Sequence, residues 1–325
     1  MTNLSKKTVN KAPLVYIVMP CYNWEKYLLE QLMSIYHQNY TNWYLIFVND
    51  WSTDNSENIL RDRVSHYNLH EKVKVITKEN GWVNSAVQRW LEEVKKLCDI
   101  KDSDSLISYC DADDIWTRDK LEIQVEYMVN HPKCDLSYHN LTVINENGLL
   151  VEASYYSTIY VNLSFLYIST IRSILISTEM VFRVKYINHL LPMPVWFWMY
   201  QDYRTALVFS ALNYNIKFID KSLAYYRQWH FSLMKVLYNT PQRNKEWLMK
   251  KIKYLNELKR ICPDKDFSYE IWFLNDLLYK RMNWKYGIIR FWIFVFFKYT
   301  RVFSFVLKKA FYENILHINK RFKYK

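Results

Sequence analysis

Short apolar runs alternate with longer amphipathic segments from residue 14 to residue 139. Apolar runs fall at residues 14–19, 43–48 and 105–110, and apolar residues interspersed with polar ones mark further strands at 73–77 and 134–139. Each predicts a buried strand, because apolar runs of this length bounded by polar residues are typical of one. The intervening segments are long enough for helices, and the apolar residues between Leu28 and Tyr36 recur with a helical period. This alternation predicts a parallel, doubly wound α/β sheet.

From residue 141 onward the pattern is less regular. Asn145 to Gly148 has the composition of a hairpin turn. The remaining predicted elements are a strand at 174–182, a helix at 201–212, short strands at 216–219 and 223–227, and helices beyond residue 239. We therefore expect a disordered N-terminus at 1–12, an α/β domain at 13–235 and a helical region at 236–325.

Three carboxylates follow the fourth apolar run within four residues: Asp111, Asp113 and Asp114. Ligands of open α/β sheets bind at the carboxyl ends of the strands. Like charges this close repel each other, and a divalent cation relieves that repulsion. Mg²⁺ and Mn²⁺ prefer such oxygen ligands. The simpler alternative is an acidic loop in which Asp114 or Thr117 caps a helix at 118–130.

Polar residues also follow the first three runs, namely Tyr22-Asn23, Asn49-Asp50 and Asn80. Gathered at one sheet edge, such groups can bind a nucleotide: a carboxylate accepts a hydrogen bond from the base or the ribose, while a metal ion holds the diphosphate. For Asp54, turn formation and helix capping are the better explanation. The chain has only three glycines, so it forms neither a dinucleotide fingerprint nor a P-loop.

The composition narrows the class of partner. A net charge of +12 and a pI near 9.2 favour a phosphorylated ligand, an anionic membrane or a nucleic acid. An RNA-binding protein fits poorly, because no recognised RNA-binding signature accompanies the charge. Five scattered cysteines argue against a zinc site or a disulfide framework and fit a reducing compartment. We expect no secretory signal, because the first 11 residues lack an apolar segment.

Taken in order across residues 14–232, these motifs resemble those of the family 2 glycosyltransferases, which have the GT-A fold. The matching segments are Pro20-Cys21-Tyr22-Asn23, residues 38–43, Asn49-Asp50-Trp51-Ser52-Thr53-Asp54, Asn80-Gly81 with Ala86, Asp111-Ala112-Asp113-Asp114-Ile115-Trp116, Gln201-Asp202, and Tyr226-Arg227-Gln228-Trp229-His230. The last segment has one residue more than the Tyr-Arg-x-His of the family. Asn49, Trp51 and Gln201 stand where the family has Asp, Gly and Glu.

The resemblance implies an inverting transfer of a sugar from a nucleotide-diphosphate donor, with UDP expected, to a saccharide or lipid-linked saccharide. Such a reaction belongs to surface polysaccharide, capsule or lipopolysaccharide synthesis, and it uses Mn²⁺ or Mg²⁺. We expect no nucleic acid partner. A second hypothesis, motivated by the three departures, is a catalytically weak GT-A-like module that binds glycan or scaffolds an assembly complex.

The resemblance also implies a role for each matching residue. Nucleotide and donor contacts fall to Pro20, Tyr22, Asn23, Asn49, Asp50, Asn80, Asp111 and Ala112. The metal ligands are Asp113 and His230, although His230 is equally well explained as a buried, hydrogen-bonded histidine. The acceptor or donor-sugar side comprises Asp114, Trp116, Gln201 and Arg227.

Asp202 is the catalytic base that the resemblance implies, and the alternative is a helix N-cap. The N-terminus of a helix favours a carboxylate, so we expect Asp202 to be ionised at neutral pH. Glu179 is the next candidate for the base, because it interrupts an apolar run shortly before this segment.

The C-terminal end is basic and aromatic. From Lys285 onward, ten Lys or Arg residues stand against one acidic residue, Glu313. Residues 288–307 are rich in Phe, Ile and Val, but their longest uncharged run, 291–297, is too short to span a bilayer. Such helices suit the surface of an anionic leaflet. We expect a cytoplasmic protein, peripheral on the inner face of the cytoplasmic membrane; the alternative is a helical appendage packed on the core.

Overall fold

A nine-stranded mixed sheet forms the larger of two units, which comprises residues 1–155 and 167–232. The computed structural model describes residues 12–99, 104–156, 175–193, 201–228 and 241–279. The strands are β1 (Val15–Cys21), β2 (Trp43–Asn49), β3 (Val73–Thr77), β4 (Leu106–Tyr109), β5 (Ile115–Trp116), β6 (Leu136–Asn145), β7 (Leu150–Glu152), β8 (Val181–Arg183) and β9 (Ile216–Gln228). The described helices of this unit are α1 (Glu25–Tyr36), α2 (Ser56–His66), α3 (Trp82–Leu97), α4 (Lys120–Asn130), α5 (Ile187–Leu190) and α6 (Gln201–Ala211).

The first half of the sheet is parallel, as the sequence predicts. β1 lies between β2 and β4, and β2 pairs in turn with β3, all in parallel register. Ile17, Val18 and Phe47 are fully buried, because helices cover both faces of a sheet of this kind and its strands become continuous apolar runs. Leu28 and Ile35 of α1 pack into the same core cluster.

The second half of the sheet is mixed rather than purely parallel. β8 is antiparallel to β4 and β6, β9 is parallel to β6, and β5 is antiparallel to β9. The two short strands predicted at 216–219 and 223–227 are one continuous strand, β9.

The strand predicted at 174–182 is largely wrong. Residue 174 lies outside the described residues, a 3₁₀ turn occupies Ser177–Glu179, and only β8 follows as a strand. The Glu179 carboxylate accepts a hydrogen bond from the backbone N–H of Ile176 at 3.0 Å. Such local side-chain bonds compete with a strand ladder, and a window of apolar content does not detect them.

Two turns connect the elements near the acidic segment. The hairpin at Asn145–Gly148 is as predicted: Gly148 has a φ of +78°, and the Asn145 side chain accepts from the N–H of Asn147 at 2.9 Å. The alternative in which Asp114 or Thr117 caps a helix at 118–130 is not observed, because α4 begins at Lys120 with Asp119 in the N-cap position. The chain first forms β5 against β9, and Asp114 precedes that strand. Thr117 contacts the start of the helix without capping it: its carbonyl accepts from the N–H of Lys120 at 3.2 Å, and its Oγ1 donates to Asp119 at 2.6 Å.

The smaller unit comprises residues 156–166 and 233–325, and its described helices are α7 (Pro241–Ile261) and α8 (Ser268–Tyr279). The two helices pack against each other. None of the described helices is long and apolar enough to cross a membrane. Residues 280–325, which carry the predicted membrane-binding segment, lie outside the described part of the chain, as do residues 1–11.

Candidate functional site

The loops that follow β1, β2 and β4 lie side by side at one edge of the sheet. Cys21 pairs with Asn49 and Val18 with Tyr109 in the parallel register. Backbone bonds continue the alignment past the strand ends, since the N–H of Asp50 donates to the carbonyl of Cys21 at 2.9 Å. The structure therefore places the segments that carry Tyr22, Asp50 and Asp111 at one edge of the sheet.

Asp111 is held by two side chains from other elements. Ser177 Oγ donates to its Oδ2, and Gln201 Nε2 lies 3.4 Å from its Oδ1. Burial, and then the neighbouring charge of Asp113, raise the pKa of Asp111 to about 7. Sequence reasoning missed Ser177, because residues 174–182 were assigned to a strand and no local signal marks the 3₁₀ turn.

Asp114 points away from the edge and braces the loop. It is 1% exposed and accepts a hydrogen bond from the backbone N–H of Arg227 at 2.9 Å. Burial and the nearby charges of Asp113 and Asp111 raise its pKa well above the ordinary value. The Arg227 side chain also contacts this loop, since its Nε donates to the carbonyl of Asp113 at 2.8 Å. Its Nη2 also donates to Glu30 at 2.7 Å.

Three residues predicted on the acceptor or donor-sugar side are thus buried supports of the loop, which corrects that prediction. Asp114 and Arg227 hold each other, and Trp116 is 3% exposed. The indole Nε1 of Trp116 donates to Thr178 Oγ1 at 3.0 Å in the protein interior. Ala112 is also buried, at 2% exposed. The fourth residue of this group, Gln201, contacts Asp111 as described.

Asp202 is the second residue of α6, so it is not the N-cap of that helix. The backbone N–H of Tyr203 donates to its Oδ1 at 2.6 Å. The residue keeps partial access to solvent, yet protein atoms crowd its carboxylate. Burial and, to a smaller extent, the charge of Asp111 together raise its pKa to about 7, although the backbone N–H groups of Tyr203 and of Asp202 itself lower it. The expectation of a fully ionised group at neutral pH is therefore wrong, because burial outweighs the helix N-terminus.

Asp50 is almost fully buried and already has two donors. Lys78 Nζ lies 2.5 Å from its Oδ1, and the backbone N–H of Gly81 donates to the same oxygen at 3.1 Å. Sequence reasoning did not single out Lys78. A signal was present, since Lys78 directly follows β3 at the same sheet edge as the predicted site. Asn80, two residues further on, is exposed beside these groups.

Asn49 faces the interior rather than the nucleotide side, which corrects its predicted role. Its Nδ2 donates to Glu57 Oε2 at 2.5 Å, and its Oδ1 accepts from the N–H of Ser52 at 2.9 Å. Glu57 also accepts from Arg61 and Thr77. Although burial raises the pKa of Glu57, these hydrogen bonds, that of Asn49 first, lower it below its ordinary value. An amide at position 49 thus complements a carboxylate at the start of α2.

The loops after β1 and β2 are bonded to each other. The N–H of Asn23 donates to Ser52 Oγ at 3.1 Å, and the N–H of Thr53 donates to Asn23 Oδ1 at 2.8 Å. Asn23 and Trp51 both have positive φ angles, of +58° and +66°. Tyr22 is 47% exposed, and Pro20 is partly exposed at the end of β1.

Asp54 makes turn and helix-start contacts of the kind predicted for it, although Asn55 occupies the N-cap position of α2. Asp54 Oδ1 accepts from the N–H of Ser56 at 3.0 Å, and Oδ2 accepts from the N–H of Glu25 at 2.9 Å. One carboxylate therefore satisfies donors at the starts of both α1 and α2. These hydrogen bonds outweigh the effect of burial and lower the pKa of Asp54.

The acidic segment has the chemistry of a partial magnesium or manganese site. Across the described ranges no group of three or more metal-binding side chains gathers in one place, and His230 lies outside them. Asp113 is nevertheless close enough to Asp111 to raise its pKa, so two carboxylates concentrate negative charge here. A cation that binds substrate phosphates needs only one or two protein carboxylates. Asp111 and Asp113 fit such a cation.

Comparison with known proteins identifies the family. The sequence profile described as "Glycosyl transferase family 2" matches residues 16–191, more than half of the chain. The chain belongs to glycosyl transferase family 2. The resemblance inferred from the motifs is thereby confirmed.

Relatives within the family include enzymes named for polysaccharide synthesis. The chain is 29% identical over 140 residues to the putative teichuronic acid biosynthesis glycosyltransferase TuaG of Bacillus subtilis, covering 43% of this chain and 51% of TuaG. It is 31% identical over 137 residues to WfgD of Escherichia coli, covering 42% of this chain and 49% of WfgD. WfgD is named a UDP-Glc:α-D-GlcNAc-diphosphoundecaprenol β-1,3-glucosyltransferase. The chain spans about half the length of these curated relatives.

Solved glycosyltransferase structures with the same fold confirm the predicted GT-A architecture. Staphylococcus aureus TarS in complex with UDP superimposes with a TM-score of 0.53 at 17% identity, covering 90% of this chain and 75% of that one. The mannosyltransferase PcManGT of Pyrobaculum calidifontis, in complex with GDP-Man and Mn²⁺, gives 0.54 at 16% identity, covering 76% and 65%. At these identities the likeness is one of fold.

Proposed function

We propose that this protein is an inverting glycosyltransferase that transfers a sugar from a UDP-sugar to a saccharide, or to a lipid-linked saccharide, during surface polysaccharide synthesis. One observation carries the proposal. Gln201 holds the first turn of α6 against Asp111, so the candidate base Asp202 lies next to the acidic pair. The names of TuaG and WfgD support the substrate class, and the UDP complex of TarS supports the donor.

Asp113 would hold Mg²⁺ or Mn²⁺ together with the donor diphosphate, and Asp111, to which the resemblance gives a donor contact, lies close enough to Asp113 to share the cation. Such a cation, when bound, stabilises negative charge on the departing diphosphate as a Lewis acid. The remaining tasks belong to the chain: Ser177 and Gln201 fix the orientation of Asp111, and the Asp114–Arg227 contact fixes the loop that carries Asp113. Asp50, Asn80 and Tyr22 face the nucleoside end of the donor.

Asp202 would remove the proton from the acceptor hydroxyl as that oxygen attacks the anomeric carbon from the face opposite the leaving group. A pKa of about 7 suits this step, because a general base works best when its pKa lies near the operating pH. Glu179 is a weaker candidate, since it is fully buried and its carboxylate bonds the backbone of its own turn.

The proposal is tested by incubating the full chain with a panel of UDP-sugars, Mn²⁺ and candidate saccharide acceptors, and by following the anomeric proton of the product with NMR. We expect metal-dependent release of UDP and a product of opposite anomeric configuration to the donor. Retention of configuration would contradict the inverting mechanism, while release that persists in excess EDTA would contradict the role of the metal.

A second candidate function has specific support. Asn49 is turned towards Glu57, and Lys78 neutralises Asp50, so the nucleotide side differs from the family pattern. A GT-A-like module that binds glycan without turnover would share this feature. The same experiment separates the two, because such a module binds saccharide while releasing no UDP.

We further propose that the basic C-terminal region holds the protein at the inner face of the cytoplasmic membrane. The support is the sequence alone, with ten basic residues and one acidic residue from Lys285 onward. Exposed charges are screened by salt. The full chain should therefore sediment with vesicles that contain anionic lipid at 0.1 M NaCl and be released in part at 1 M. Equal binding to neutral vesicles would contradict this.

A further inference from the structure

An exposed tryptophan in a left-handed conformation stands at the nucleotide side of the site. Trp51 directly follows Asp50, has a φ of +66° and leaves 55% of its surface exposed. Non-glycine residues with bulky side chains rarely adopt this backbone region, and an exposed indole gains little from the hydrophobic effect. Neither feature stabilises the free protein, and glycine would avoid both.

The loop that carries Trp51 is fixed rather than loose. Ser52 and Thr53, the next two residues, are bonded to Asn23 of the neighbouring loop, and Ser52 is also bonded to Asn49. Asp50, the preceding residue, is bonded to Lys78 and Gly81. The backbone on both sides of Trp51 is therefore held by neighbours, and the unfavourable φ is imposed by them. An unfavourable backbone conformation of this kind persists only when surrounding contacts fix it, and such residues are often found at ligand-binding sites.

A second exposed aromatic residue stands on the adjoining loop. Tyr22 precedes Asn23 and is 47% exposed, and the two loops are cross-linked through Asn23, Ser52 and Thr53. Two exposed aromatic residues thus stand on adjacent, rigid loops beside the buried carboxylate of Asp50. A flat aromatic ligand with a polar edge fits this combination, because rings stack on it while the edge faces polar groups.

We propose that Trp51 is a specificity-determining residue of the donor site that stacks on the base of the nucleoside diphosphate. The inference rests on the proposed function, since it assigns a contact within the same site. Stacking of a base on an aromatic side chain contributes about 1–3 kcal/mol, which corresponds to a loss of affinity of roughly 5- to 150-fold when the ring is removed. The contact needs no phosphate, so it should appear equally with uridine.

The test compares wild type, Trp51→Gly, Trp51→Phe and a control, Asn68→Gly, by calorimetric titration with UDP, uridine, GDP and the panel of UDP-sugars, and by thermal unfolding. Asn68 also has a positive φ, of +52°, but lies after α2 away from the site. We expect Trp51→Gly to keep or raise the unfolding midpoint while weakening the binding of UDP and of uridine about tenfold or more. Trp51→Phe should bind within about threefold of wild type, because a ring remains. Asn68→Gly should leave both affinities unchanged.

The outcomes separate this inference from the proposed function. If wild type binds UDP and Trp51→Gly binds it equally well, the inference is wrong while the proposed function stands. If wild type binds neither UDP nor GDP, both are wrong. A loss seen with UDP-sugars but not with uridine places Trp51 against the sugar and overturns base stacking. If Trp51→Gly unfolds at a lower temperature than wild type, the affinity of Trp51→Phe for UDP and uridine decides. Affinity close to that of wild type supports stacking. Affinity as weak as that of Trp51→Gly refutes it.

Discussion

Replacing Asn49 by the aspartate that is usual in the family should destabilise this protein. The Asn49 amide donates to Glu57 at 2.5 Å, and both side chains are largely shielded from solvent. In Asn49→Asp two carboxylates meet at this position. The substitution removes a hydrogen bond to a charged group, worth about 1.5–3 kcal/mol. It also adds repulsion of roughly 4 kcal/mol at 4 Å and an effective dielectric constant near 20.

Protonation limits the loss and makes it depend on pH. When one of the two carboxyls takes up a proton, it can again donate a hydrogen bond to its partner. Keeping that carboxyl protonated costs about 1.36 kcal/mol for each pH unit above its ordinary pKa. From an ordinary pKa near 4, this costs roughly 4 kcal/mol at pH 7 and about 1 kcal/mol at pH 5. Because the folded variant binds the extra proton more tightly than the unfolded chain, its stability falls as pH rises. We expect a loss of about 2–4 kcal/mol at pH 7 and roughly 1 kcal/mol at pH 5.

Urea unfolding of wild type and Asn49→Asp at both pH values measures this directly. The matched control is the double variant Asn49→Asp with Glu57→Gln, which restores one amide and one carboxylate in reversed positions. It should recover most of the stability at pH 7, as a double-mutant cycle requires for coupled residues. An Asn49→Asp protein as stable as wild type at pH 7, or equal losses at both pH values, would refute the reasoning.

Three further outcomes are expected. Asp113→Ala should abolish the Mn²⁺-dependent rise in thermal midpoint on adding UDP, measured by thermal shift; an undiminished rise would remove Asp113 from the metal site. Because the base must be deprotonated and burial raises the pKa of Asp202 to about 7, kcat/KM should increase with pH through 7 and then level off; a flat profile from pH 5.5 to 8.5 would exclude this group. Ser177→Ala should lower kcat with little change in unfolding midpoint, and Ser177→Thr, which keeps the hydroxyl, should recover part of the rate.

The parallel half of the sheet was predictable because its signal is local. Each of the first two strands is almost entirely an apolar run, and β3, which also contains Lys74, is predicted at its observed limits. The edge at which Asp50 and Asp111 meet follows from the same pattern, since parallel strands bring their carboxyl ends together.

The supports of the site were not predictable, because they depend on contacts distant in sequence. Arg227 reaches Asp114 across 113 positions, and Ser177 reaches Asp111 across 66. The pKa of Asp202 likewise depends on burial, which outweighs the hydrogen bonds at the start of its helix. Motif spacing indicated that these residues belong to one site, but not which of them face a ligand and which hold the others.

The most direct test of the proposed mechanism is the turnover of Asp202→Asn on UDP-sugar and acceptor, measured alongside UDP affinity. Asparagine is nearly the same size and can keep the bond from the Tyr203 N–H, so folding and donor binding should be preserved. General-base catalysis contributes about 10²- to 10⁴-fold. We therefore predict a fall in kcat of that size with UDP affinity within about twofold of wild type; wild-type turnover in Asp202→Asn would contradict the account.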